Sequence, residues 1–66
     1  MTGFEVLRRV KRRGCQELRR RGSHAVVWCP GGCQSVVPIH REDMALGTLR
    51  AIERQLAPCL GEGWLR

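Results

Sequence analysis

Sixty-six residues leave room for a single small domain, and a chain of about this size buries only roughly 60% of its unfolded surface, which excludes a large enzyme with a deep, water-free cleft. Twelve Lys+Arg against six Asp+Glu give a net charge of +6, a surplus that favours phosphate-bearing or acidic partners. Hydrophobic residues make up 42% of the chain, enough for a core and too many for a disordered tail. All the basic residues except Lys11 are arginine, a bias that suits phosphate contact and that a GC-rich genome also produces. The longest apolar run, Ala25-Val26-Val27-Trp28-Cys29, is far short of a membrane span. The opening Met-Thr-Gly-Phe-Glu lacks the order of a signal peptide. These features predict a cytoplasmic chain whose four cysteines are reduced.

Thr2-Gly3-Phe4-Glu5 fits a capping box, and Phe4, Leu7 and Val10 then recur at helical spacing. A first helix is predicted over residues 3–13, closed by Gly14. Cys15 to Arg20 follows as a polar strand suited to a sheet edge. Gly22-Ser23 reads as a turn, and His24 to Cys29 as a second strand rich in β-branched and aromatic residues. Pro30-Gly31-Gly32 is of hairpin-loop length. A third strand spans Gln34 to Ile39, with Pro38 marking its end or an edge. After the polar connection His40 to Met44, the residues Leu46, Leu49, Ile52 and Leu56 mark a second helix that Pro58 should stop. The predicted fold class is α+β in the order α-β-β-β-α, a single domain over 1–66 with its core in 3–57 and a tail at 58–66. Its two helices cover one face of a three-stranded antiparallel sheet and leave the other face open.

Three stretches in this order carry a resemblance: Gly22-Ser23-His24 after a basic strand, then Val36-Val37-Pro38-Ile39-His40, then Gly47-Thr48-Leu49-Arg50-Ala51-Ile52. Together they resemble the HicA family of toxin ribonucleases over roughly residues 4–56. The resemblance implies a fold similar to the double-stranded-RNA-binding domain and ribosome-independent cleavage of messenger RNA. It also implies neutralisation by a HicB-like antitoxin, and a required histidine in the Gly-Ser-His motif, which is His24 here. The loop Cys29-Pro30-Gly31-Gly32-Cys33 and the tail after Ala57 depart from the family pattern, which bears on the partner interface more than on the motifs.

RNA carries its own nucleophile in the 2′-hydroxyl, so cleavage needs a proton acceptor and charge stabilisation at phosphorus rather than a cofactor or a metal. Imidazole, titrating ordinarily near about 6.5, suits the first task, and a positioned general base contributes about 10²- to 10⁴-fold. His24 is the catalytic candidate. His40 could serve as a second acid or base, as a phosphate contact, or as a plain loop residue. The phosphate-binding candidates are Lys11 and Arg12 on the first helix, Arg19, Arg20, Arg21 and Ser23 before His24, and His40 and Arg50 further on. Such contacts supply affinity rather than sequence reading, and their bland alternative is a solvated face. The stretch Arg41-Glu42-Asp43 before the second helix lacks the lysines of duplex-RNA binders.

Cysteines 15, 29, 33 and 59 are spaced unlike a zinc knuckle. The reading they invite is Cys29 facing Cys33 across the hairpin loop, with Cys15 and Cys59 as small apolar residues. Trp28 could stack on a base or lie in the core, and Trp64 and Leu65 are expected to dock on the body or on a partner. The competing readings are a non-catalytic RNA-binding module of the same fold and, less well supported, a zinc-bound interaction domain.

Overall fold

Thr2 opens the first helix as the sequence predicts. In the computed structural model, which describes residues 1–66, its hydroxyl accepts the Glu5 N–H while the Glu5 carboxylate accepts the Thr2 N–H, so two orphan donors are satisfied. The Glu5 pKa is lowered, chiefly by that backbone hydrogen bond. Helix α1 runs Gly3–Arg12 and is followed by β1 (Gln16–Arg21), β2 (His24–Cys29), β3 (Cys33–Pro38) and α2 (Leu46–Leu60). The α-β-β-β-α order of the sequence reading is the order found. Both strand pairs are antiparallel and the sheet order is β1-β2-β3, so the arginine-rich β1 and the proline-ended β3 are the two edges.

Burial alternates along β2, with Ala25, Val27 and Cys29 inside and His24, Val26 and Trp28 outside, the period expected of a half-buried strand. The inner residues meet Val6, Leu7 and Val10 of α1 and Ile52 and Leu56 of α2 in one core. Fully burying a side chain such as Leu56 contributes about 1.5–3 kcal/mol. Ser35 is the buried polar side chain, and its hydroxyl donates to Gln55 Oε1 at 2.5 Å, which offsets its desolvation.

Several expectations need correction. Phe4 is 48% exposed, and Val6 takes the core position instead. The buried stripe of α1 is Gly3, Val6, Leu7 and Val10, because Gly3 is the residue that lies against β3: a Cβ there would land on the Pro38 carbonyl oxygen. Helix α2 does not stop at Pro58 but carries it inside and ends at Leu60. In the last turn the missing N–H costs one hydrogen bond, and Gly61 then closes the helix at φ 97° with its N–H donating to the Ala57 carbonyl.

The cysteines are not reduced. Cys29 does stand opposite Cys33 in the β2–β3 register, yet each sulfur bonds elsewhere, Cys15–Cys29 and Cys33–Cys59. Gln16 pairs with Trp28, so Cys15 arrives beside Cys29 at the end of the β1–β2 ladder. Cys59, in the last turn of α2, reaches Cys33 past Gly31, where a Cβ would come within 2.9 Å of the Cys59 sulfur. The first bond ties the sheet edge to its centre and the second ties α2 to β3.

Trp64 and Leu65 dock on the body and are buried. The Trp64 indole N–H donates to the Glu53 carbonyl at 2.9 Å, and Arg9 donates to the Leu65 carbonyl at 3.0 Å. Residues beyond 58 thus close the core between α1 and α2.

Candidate functional site

Both helices pack on the same side of the sheet, so its other face is open. Register and alternation put three rows of side chains there. Arg21, His24 and Pro38 form the first, Arg19, Val26 and Val36 the second, and Gln16, Trp28 and Gln34 the third. Which arginine meets the acid of β1 depends on an irregularity. Gln16 and Glu17 pair with Trp28 and Val27, but Arg19 pairs with Val26, so Leu18 is an extra residue in β1. A bulge of this kind re-aims the side chains that follow it. Here the two-residue turn sets Arg19 and Arg21 on the open face and Arg20 on the helix side, and the bulge brings Glu17 to the helix side with Arg20.

That division decides which cations are free. Glu17 accepts two hydrogen bonds from Arg20, at 2.7 and 3.0 Å, and Lys11 lies 3.6 Å from the same carboxylate. The Arg20 hydrogen bond is the main cause of a lowered Glu17 pKa, and the reverse contact raises that of Arg20. Arg19 and Arg21 enter none of the ion pairs. They stand on the same face as His24, which carries no acidic side chain.

His24 begins β2 directly after the two-residue turn Gly22-Ser23. Gly22 holds φ 58°, a conformation glycine adopts without strain. The Ser23 carbonyl accepts the Ile39 N–H at 2.6 Å, and His24 is paired on both sides, with Arg21 and with Pro38. The backbone under this histidine is therefore fixed by all three strands while its side chain is exposed.

The other candidates fall elsewhere. His40 lines a shallow hollow of about 170 Å³ with Gly3, Glu42, Asp43 and Thr48, among acids rather than arginines. Arg12 belongs to a second basic cluster with Arg9, Arg13 and Arg66 around Trp64. Arg50 lies on α2 near Glu53 and Leu65. The structure thus gathers Arg19, Arg21, Ser23 and His24 at one end of the sheet and leaves Lys11, Arg12, Arg20, His40 and Arg50 outside that group. No group of three or more His, Cys, Asp or Glu side chains is placed to hold a metal ion, and no helix is long and apolar enough to cross a membrane.

Sequence reasoning missed the split within Arg19-Arg20-Arg21, which alternation from the turn sets, and the bulge that brings Glu17 to Arg20. Glu17, three residues before Arg20, is the signal that could have shown it. Trp28 was open between core and surface, and its alternation with Val27 and Cys29 decides for the open face.

A scan against protein families matches residues 3–57 to the model described as HicA toxin of bacterial toxin-antitoxin. No curated protein and no solved structure matches the chain in the corresponding comparisons.

Proposed function

The chain belongs to the HicA toxin family, and on that premise we propose that it is an endoribonuclease that cuts messenger RNA without a metal ion and is held inactive by a HicB-like antitoxin. The observation that carries this reading is the exposed His24 on a three-strand anchor, beside the unpaired Arg19 and Arg21. The imidazole takes the proton of a ribose 2′-hydroxyl. The 2′-oxygen attacks the adjacent phosphorus, the bond from phosphorus to the 5′-oxygen breaks, and that oxygen leaves with a proton taken from water, while the imidazolium returns its own to the solvent. The products are a 2′,3′-cyclic phosphate and a 5′-hydroxyl. Arginine forks near the phosphate offset the charge that builds on its oxygens, and Ser23 contributes the turn that presents the histidine. Lys11, Arg12, Arg20, His40 and Arg50 lie off the face that carries His24 and add in this scheme only to the positive field that draws RNA in. The reaction belongs in the cytoplasm, where messenger RNA is translated.

End-labelled single-stranded RNA incubated in EDTA with the wild type and with His24→Ala tests the proposal. Cleavage by the wild type and its loss in the variant support it. If both bind RNA and neither cuts it, the chain is a binding module of the same fold.

A further inference from the structure

Trp28 is the one aromatic side chain on the open sheet face, and the core does not need it. It is half-buried between its cross-strand partners Gln16 and Gln34, while the core is filled from the other side by Val27 and Cys29. A large flat apolar group left on a solvent-facing strand is the kind of platform on which nucleic-acid bases stack, independent of their identity. Its setting is suited to a polyanion rather than to a second apolar surface. In the middle row Val26 and Val36 form a narrow apolar strip, with Val36 48% exposed. Arg19 and Arg21 run along one side of it without ion pairs, and no carboxylate faces it.

The geometry points to a single-stranded RNA lying along β2, with its scissile phosphate at His24 and a base of a neighbouring nucleotide stacked on Trp28. From His24 to Trp28 is four residues of one strand, about 13 Å at the rise of an antiparallel strand, so the stacked base belongs to a nucleotide near the cut rather than to the one being cut. The turn Gly22-Ser23 sets Arg21 against His24 and Arg19 against Val26, and the bulge at Leu18 pairs Glu17 with Val27 instead of Trp28, which keeps that carboxylate off the track. A duplex does not fit this account, since its bases are stacked on each other and offer no free face. The inference rests on the ribonuclease reading and adds how its substrate sits and why it must be single-stranded.

Binding by the His24→Ala chain tests it without cleavage. The probes are a short oligoadenylate and a ribose-phosphate strand of equal length that lacks bases, compared at one fixed salt concentration. Loss of one base–aromatic stack is worth between about 5- and 150-fold in affinity, so the base-free strand should bind weaker by that order. Adding Trp28→Ala should lower oligoadenylate affinity to that of the base-free strand and leave the latter unchanged, a pattern that loss of folding would not give. Trp28→Phe should keep most of the preference. Equal binding of the two strands by the Trp28-containing chain overturns the inference. So does a base preference that survives Trp28→Ala, and if that variant also escapes inhibition by the antitoxin, the face seats a protein instead. The two readings fail separately: a wild type that never cuts RNA removes the nuclease while base-dependent binding stands, and a wild type that cuts but ignores base removal leaves the nuclease and removes the platform.

Discussion

Replacing Cys33 and Cys59 by serine removes one of two covalent staples and leaves every other contact in place. The closed segments are set by sequence separations of 14 for Cys15–Cys29 and 26 for Cys33–Cys59. They do not overlap, so each acts on its own part of the unfolded chain. Loop-closure entropy then gives about 3 kcal/mol for the shorter and about 3.5 kcal/mol for the longer at 25 °C. A domain of this length has a total stability of roughly 3–10 kcal/mol at the usual value per residue, so the two bonds together rival the whole. In urea, with a denaturant slope of about 1 kcal/mol per molar, Cys33→Ser/Cys59→Ser should lower the unfolding midpoint by about 3.5 M. Full reduction of the wild type should leave it close to unfolded without its partner. Circular dichroism during a urea titration, with and without a thiol reductant, reads both. A midpoint unmoved by reduction would refute the reasoning, and would mean that the core around Val6, Val27 and Leu56 suffices. Wherever the thiols are reduced, a partner that binds only the folded form would supply stability of the same kind.

Three further outcomes follow from single contacts. Gly3→Ala should destabilise by about 1–3 kcal/mol, the usual cost of overpacking, since the new Cβ meets the Pro38 carbonyl; a gain in melting temperature, as at an open helix position, would contradict that approach. Glu17→Gln should flatten the acid limb of stability. The Glu17 pKa is lowered in the folded chain, so its contribution is present above the ordinary carboxylate value and is lost as pH falls through the lower folded one, which denaturation from neutral to acid pH will show. Arg19→Ala/Arg21→Ala should reduce the slope of log affinity for single-stranded RNA against log salt by about 1.4, two contacts at about 0.7 each. Lys11→Ala/Arg20→Ala, engaged with Glu17, should change it far less.

The helices and strands were legible because hydrophobic period and turn chemistry agree with each other along most of the chain. Thr2 and Glu5 announce a helix start by side chains that satisfy local donors, and Gly22-Ser23 announces a turn by a backbone conformation. The misread positions depend on contacts between distant segments. Phe4 and Val6 are both apolar on α1, and only the close approach of Gly3 to β3 determines which turns inward. Pro58 is tolerated because it falls in the last turn of α2, next to a cysteine bonded to β3. The disulfides were missed because an argument from compartment held the thiols reduced, and because Cys15 comes beside Cys29 only through the bulge at Leu18, where a regular ladder from the turn would set Gln16. At the site, His24 was legible from its motif. Which arginine is neutralised was not, since one inserted residue, Leu18, takes Glu17 off the face of His24 and gives it to Arg20.

The central claim is that His24 drives attack by a ribose 2′-hydroxyl. An RNA strand carrying a single 2′-deoxynucleotide on the 3′-oxygen side of the cleaved bond tests it most directly, alongside analysis of the ends produced from the unmodified strand. The account predicts that the substituted bond resists cleavage and that the unmodified strand yields a 2′,3′-cyclic phosphate and a 5′-hydroxyl. Cutting at the substituted bond, or a product bearing a 3′-hydroxyl and a 5′-phosphate, would contradict it.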